Sequence, residues 1–434
     1  MEEQFLFFPI ENNIYYSINN DGVARPINWP VTFVNSNPVE GNILTVSIYN
    51  ITISNVSQYF ITGSNYITYD AHIIPVTIIS NVPNYPGLIQ NGTSSANGFS
   101  NVIVKNINNA ISGSSTLANF GGWICQTTFG SGASNILIDN CSNSGNINGS
   151  LAGGICGSNI GSNSGNILIT NCSNSGIISG YATGGICGSS AGFNNGTVTI
   201  TNCSNSGVIS GNYAGGICAN DAGSNNGTVS ITNCKNSGII SGIFAGGITG
   251  DWFCLNTNKL CSIINCYNTC LISGSNAGGI TGADVGYNDN AAYTPKILIQ
   301  NCYSLGNIST TCGGICGGTE GSPYFRNPIV NIKNCYTSYN SIADSGSEYL
   351  STSLPTAVRN SIIFTNVYSS LINNWSDINA NSSLTGSKSI YRNTRLYRYY
   401  SNFGSTWYYN QNNTPFLLIS YLNTVPRRRK EEIR

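Results

Sequence analysis

Asn166 to Gly196 reads NILITNCSNSGIISGYATGGICGSSAGFNNG, the clearest copy of a unit written seven times between Asn101 and about Asn340. Its Asn-Cys dipeptide returns with Cys141, Cys172, Cys203, Cys234, Cys266, Cys302 and Cys335, at spacings of 31, 31, 31, 32, 36 and 33 residues. A Gly-Gly-Ile/Trp anchor returns in step, first at Gly121-Gly122-Trp123 and then ending at Ile155, Ile186, Ile217, Ile248, Ile280 and Ile315. A fixed period near 31 residues marks a stacked repeat, in which each unit buries its apolar face against its neighbours.

The unit holds three short apolar runs, Ile167 to Cys172, Ile177-Ile178 and Gly185 to Cys187, separated by Gly, Asn and Ser. Runs this short predict strands. The Ser-Gly, Asn-Gly and Gly-Gly pairs between them supply the positive-φ positions of tight corners. No 3.6-residue apolar period appears, so the repeat is not helical. The expected fold is all-β: a right-handed parallel β-helix of roughly 31-residue coils, with strands of successive coils about 4.8 Å apart. Its hand follows the rule for parallel crossovers. Eight coils then rise roughly 38 Å.

Two cysteine columns run through the repeat, and the chain itself shows what they tolerate. The degenerate flanking copies put Ile107 and Val367 in the Asn-Cys slot, so an apolar residue serves there. In the second column Cys125, Cys156, Cys187, Cys218 and Cys316 share their position with Thr249 and Thr281, which a disulfide or metal requirement would forbid. Free thiols packed as small buried hydrophobes are expected, in preference to a disulfide ladder. Cys254 and Cys261 lie outside both columns and flank six residues, where a local bridge is compatible with an oxidising setting. The residue before each column cysteine forms its own column, Asn106, Asn140, Asn171, Asn202, Asn233, Asn265, Asn301, Asn334 and Asn366. Stacked amides of this kind predict an asparagine ladder at a corner.

Segments such as NCSNSGVISGNYAGGICAN, Asn202 to Asn220, resemble the GLUG-motif repeat, whose pattern runs N-C/S-Y-x-T-G-x-V-S-G, a gap, then G-G-L-V-G. Here GGIC-G/A replaces the usual Gly-Gly-Leu-Val-Gly. The resemblance covers roughly Asn101 to Tyr421, including a Trp-rich end at Trp375 to Leu384 and Thr406 to Leu418. It implies a β-helix without implying an enzyme. Such repeats occur in large bacterial surface proteins and in uncharacterised proteins of giant amoeba-infecting viruses, and the Asn/Ile/Tyr bias of an AT-rich genome agrees with the viral branch.

Composition narrows the classes of function. Only 8% of the 434 residues are charged, against about 25% in ordinary globular proteins. The formal net charge is zero, so no global field draws nucleic acid or acidic lipid. Met1 to Pro9 begins acidic, with a four-residue apolar run, and does not read as a signal peptide; no 18-residue apolar segment appears either. Virion or host cytoplasm is the expected location if the chain is viral. Residues 1–29 read as an N-terminal cap or tail, 30–100 as irregular first coils and 101–340 as the repeat. Residues 341–423 read as a degenerate coil with a Trp/Tyr/Arg-rich cap, and 424–434 as a charged tail. In that cap Arg392, Arg395 and Arg398 alternate with tyrosines, a spacing that also suits base stacking. The single histidine, His72, has no placed nucleophile beside it.

Acids are scarce, so their placement carries information. Asp221, Asp251, Asp284 and Glu320 follow the first glycine of their anchors by six, five, six and seven residues, at a corner where earlier copies carry Asn159 and Ser190. One reading is ordinary corner residues in water. The other is a Ca²⁺ or glycan site, with those four as oxygen ligands and Trp252 and Tyr287 as stacking faces. No catalytic residue and no other cofactor is implied. Insertions at Asp251 to Leu260, Asp284 to Pro295 and Thr319 to Pro328 gather Phe253, Tyr293, Tyr324 and Phe325 with Trp252 and Tyr287 on the same edge. The expected function is a non-enzymatic structural or adhesive β-helix, a giant-virus particle or accessory protein with glycans or other particle proteins as partners. The alternative is a polysaccharide-binding or polysaccharide-cleaving enzyme, a lyase or glycoside hydrolase.

Overall fold

In the computed structural model the described residues are 4–337, less 11–12, 50, 55–59, 72–75, 289, 291, 310–311, 319–328 and 334, together with 362–365, 368–369, 388–389, 407–409 and 415–417. His72, Glu320, Tyr324, Phe325, Asn334, Asn366, Val367 and the arginine-tyrosine run therefore lie outside the described residues.

The described chain is all-β, a parallel solenoid of about nine turns whose strands recur about 32 residues apart. A 14-stranded sheet forms one wall and a 12-stranded sheet another. Each central coil contributes a five-residue strand to the first, as in Asn166–Thr170, Thr197–Thr201 and Thr228–Thr232, paired residue for residue. Val198 and Ile200 face inward and are fully buried, with Thr197, Thr199 and Thr201 between them half-buried. That period-two pattern is what the apolar runs demanded. At the N-terminal end Gln4–Ile10 pairs parallel with Leu44–Ile48 and antiparallel with Asn13–Ile18, so a meander covers the edge of the first rung.

The remaining walls differ from the expected three strands. The second sheet is built from the dipeptide after the cysteine, such as Ser204–Asn205, while the Ile-Ile and Gly-Gly-Ile runs contribute single bridges at Ile209, Gly215 and Cys218. The cause lies in the corners, where left-handed residues such as Asn202 and Tyr213, with φ of 56° and 60°, interrupt extended chain every few residues. Gly215 shows why the anchor is glycine. A Cβ there would collide with the Cys218 carbonyl, and one on Gly216 with the carbonyl of Gly247 in the next coil. The first copy is also shifted by one position: Gly122 pairs with Gly153 and Cys125 with Cys156, so Ile124 fills the isoleucine slot and Trp123 a glycine slot. Buried Trp123 stacks on Tyr85 at 6.1 Å and donates its indole N–H to the Asn146 carbonyl at 3.2 Å.

Both cysteine columns lie inside, and all 16 thiols are free. The first column binds its neighbours through amides: the N–H of Cys172 donates to Cys203 Sγ, that of Cys203 to Cys234 Sγ and that of Cys234 to Cys266 Sγ, each at 3.4 Å. Burial pushes the thiols of Cys141, Cys156, Cys234 and Cys266 well up from their ordinary value, which keeps them protonated and unreactive.

The asparagine ladder exists twice. The expected column is exposed in its middle coils and hydrogen-bonded unevenly; Asn202 Nδ2 donates to Asn171 Oδ1 at 3.4 Å and Asn171 donates instead to Asp139. A second column, two residues after the cysteines from Cys141 to Cys302, is buried and hydrogen-bonded from Asn143 to Ser304; Asn109, in register one coil earlier, is buried but its amide atoms have no partner among the described residues. Asn143 donates to Asn174, Asn174 to Asn205 and Asn205 to Asn236 at 2.8 Å, Asn236 to Asn268 at 2.7 Å, and Asn268 to Ser304 Oγ at 3.2 Å. Each amide also closes a local turn, as when Asn205 Nδ2 donates to the Gly207 carbonyl and Asn205 Oδ1 accepts from the Gly207 N–H.

Asn205→Ala should therefore cost about 2–4 kcal/mol, because it strands the buried amides of Asn174 and Asn236. Asn202→Gly, which keeps the positive φ and loses an exposed contact, should cost less than about 1 kcal/mol. Denaturant melts of the two variants check the difference. Cys203→Val should cost less than about 1.5 kcal/mol, since buried Ile107 occupies the same column, whereas Cys203→Asp should abolish folding.

Candidate functional site

The late-coil edge is defined by one column of left-handed residues: Thr128, Asn159, Ser190, Asp221, Trp252 and Asp284, with φ between 50° and 61°. Their register is set by amides reaching into the next coil, from Asn159 to the Ser189 carbonyl, Ser190 to Asn220, Asp221 to Asp251 and Trp252 to Ala283. Asn and Asp tolerate this backbone region; a tryptophan there is an outlier. Trp252 is held between rings, 6.5 Å from Tyr213 and 6.1 Å from Tyr287.

The acids do not form a single row. Asp221 and Asp284 share the corner column, two coils apart with Trp252 between them. Asp251 pairs with Asn220 one position earlier, in a column with Ser158 and Ser189, and is fully buried. In the corner column Asp221 is half-buried, while Asp284 is fully buried like Asp251. Among the described residues no group of three or more His, Cys, Asp or Glu side chains is placed to hold a metal ion. Polar atoms nevertheless converge near Asp221. Its Oδ2 accepts from Asn220 Nδ2 at 3.0 Å, while Asp221 Oδ1, Asn220 Oδ1 and Ser224 Oγ are buried with no hydrogen-bond partner among the described residues. Burial pushes the Asp221 carboxyl up to about 6.

Two expectations about this edge change. Asp251 to Leu260 is the ordinary corner lengthened by one residue, because Asn225 pairs with Asn256 through the Leu255 carbonyl. Phe253 does not belong to the surface; it is fully buried.

Two apolar features were not anticipated from the sequence. Tyr181, Tyr213 and Phe244 line up along the stack with centroids 5.1 and 5.2 Å apart. Four residues before Tyr181, Ile177 begins a row with Val208, Ile239 and Leu271, each preceding a bridge residue. Tyr181, Ile177, Ile239, Ile243 and Leu271 are 40–54% exposed, so a strip of apolar surface runs along several coils. Tyr267 and Tyr303 stack separately on the second sheet at 4.9 Å with rings 5° from parallel. Signals for these rows were present as the repeated I-I-S-G and N-C-Y positions, but which of two adjacent isoleucines faces out depends on the corner geometry.

No described helix is long and apolar enough to cross a membrane. Comparison with known protein families, curated proteins and solved structures finds no match for this chain.

The raised Asp221 value has a definite sign. Folding favours the neutral carboxyl, so the contribution is fully present below pH 3.8 and is lost as pH rises through about 6. Asp221→Asn places the Asn159 residue type in the same column and should raise stability at pH 8 by up to about 3 kcal/mol while flattening the pH dependence of Tm. Thermal melts from pH 3 to 8 check this. Repeating them with millimolar Ca²⁺ tests a cation there, which would stabilise the wild type and reverse the order of the two proteins.

Proposed function

We propose that this chain is a non-enzymatic structural or adhesive rod whose contact surface is the apolar strip of Ile177, Tyr181, Tyr213, Ile239, Ile243 and Leu271. The exposed rows carry the reading: large apolar side chains repeated on the surface of successive coils of a scaffold are the material of interaction sites. The continuous amide ladder and uninterrupted rungs supply stiffness, and the low charge leaves amides and hydroxyls to keep the rest of the surface wet. The GLUG resemblance directs the proposal to a giant-virus particle or a virus-encoded accessory protein, with particle proteins or glycans as partners. Glycan or particle-protein binding should fall at least tenfold in the triple variant Ile177→Ser, Ile239→Ser, Leu271→Ser, whose substitutions are all on exposed positions. Arrays of glycans and pull-downs with purified particles measure it. Unchanged binding, or absence of the protein from particles alongside abundance in infected-cell cytosol, would count against the respective parts.

The enzymatic alternative rests on one group: burial pushes the Asp221 carboxyl up to about 6 beside Trp252. A second carboxyl does not join it, because Asp284 is 1% exposed and lies two coils away, roughly 10 Å by strand spacing, beyond the about 6.5–9.5 Å that separates the carboxyls of inverting glycosidases. Release of reducing or unsaturated ends from acidic and neutral glycans, lost in Asp221→Asn, would establish this reading in place of the first.

A further inference from the structure

One coil departs from the repeat in two places that face each other. Inside the corner runs a column of left-handed glycines, Gly130, Gly161, Gly192, Gly223 and Gly286, with φ of 61° to 79°. Cys254 occupies this column between Gly223 and Gly286, with φ of 70°: its N–H donates to the Ala222 carbonyl, and the Gly286 N–H to the Phe253 carbonyl. A cysteine held there sustains backbone strain that every other member of the column avoids by lacking a Cβ.

The glycines also reveal what a Cβ in that column touches. A Cβ built on Gly130 lies 3.3 Å from Ile136 Cγ1, on Gly161 3.1 Å from Ile167 Cγ1, and on Gly192 3.5 Å from Val198 Cγ2, the first inward residue of the same coil, and as close or closer to the matching residue of the next coil, at 2.7 Å from Ile167 Cδ1, 3.1 Å from Val198 Cγ2 and 3.4 Å from Val229 Cγ2. In the coil of Cys254 that inward residue is Cys261, which pairs in the sheet with Ile297. By the same pattern the Cys254 Cβ lies between Cys261 of its own coil and Ile297 of the next, and the Cys254 thiol interacts with the Cys261 sulfur. A Cβ on Gly223, one coil earlier, lies 2.7 Å from Cys261 Sγ, so this sulfur points at the glycine column. Both cysteines are fully buried, and burial together with the neighbouring Cys261 sulfur pushes the Cys254 thiol up. The 14 other cysteines, 16 less these two, include the members of two columns whose neighbours sit on successive coils.

We propose that Cys254 and Cys261 form a dithiol–disulfide site, the one place in the described solenoid where a glycine slot and an apolar slot of one coil both become cysteine. The oxidant is a small-molecule disulfide such as oxidised glutathione. A thiolate of the pair attacks it, giving a mixed disulfide and one released thiol. The second thiolate then attacks the protein sulfur of that mixed disulfide and expels the second small thiol. The pair loses two electrons and two protons, and the small disulfide gains them. Because both sulfurs are buried, exchange requires local opening of the segment 255–260, in which Asn258, Lys259 and Leu260 are exposed while Thr257 is buried and donates to the Gly227 carbonyl at 3.1 Å. The bridge pins that segment, which borders Trp252 and the corner, to the core strand.

The full chain, reduced and then equilibrated in glutathione buffers of defined ratio, is acid-quenched, denatured, alkylated and mapped by mass spectrometry. The expected result is a Cys254–Cys261 cross-link that appears as the buffer becomes oxidising while the remaining thiols stay alkylatable, with slower proteolysis within 255–260. Cys254→Gly restores the glycine of the column; it should fold at least as stably as the reduced wild type and lose the redox-dependent change in proteolysis. Bridges distributed among the column cysteines, glutathione adducts without a cross-link, or a fully reduced pair at every ratio would each overturn the proposal.

Discussion

Each coil is held by backbone hydrogen bonds to the coils on either side, and these form only if equivalent residues lie directly above one another. That condition governs everything else in the solenoid. It requires each corner to turn within the same few residues, which is why the same columns hold positive φ from coil to coil: Asn140, Asn171, Asn202 and Asn233 at one corner, and Leu151, Ala182, Tyr213 and Phe244 at another. The second set includes residues that pay for the left-handed backbone in steric strain, so the hydrogen-bonded stack outweighs local preference there.

A narrow interior limits what can be buried. Strand positions take Ile and Val, and corner positions mostly take Cys and Ala, with Ile107 filling one slot of the first cysteine column. The chain also buries a row of amides, which in isolation would be costly. Each Asn of that row donates to its neighbour and to its own turn, so stacking turns a liability into a continuous hydrogen-bonded line that fixes the register. A slipped coil would break every member of the row, giving the polar ladder a specificity that a purely apolar core lacks.

Function, on this reading, is written on the outside of an invariant frame. The early coils repeat almost letter for letter. The late coils substitute aromatic and acidic residues at slots that the early coils fill with Asn and Ser, and the corner where Ser190 gives way to Asp221, Trp252 and Asp284 is the clearest instance. The left-handed backbone of that column is kept, with Asp221 and Trp252 half-buried and Asp284 fully buried, so the substitutions alter chemistry at a corner whose spacing is already set.

The 31-residue period, the glycine anchors and the absence of helical patterning determined the solenoid, the burial of both cysteine columns and the existence of stacked asparagines, because hydrogen bonding between identical coils leaves few other ways to use identical sequence. Which asparagine column is buried, which of Ile177 and Ile178 faces outward, that Asp251 leaves the row of Asp221 and Asp284, and that Cys254 takes a glycine slot were decided only in three dimensions. The reason is the corners. Along a strand the side chains alternate and sequence position specifies the face; through a left-handed turn that alternation breaks, and a shift of one residue exchanges core for surface.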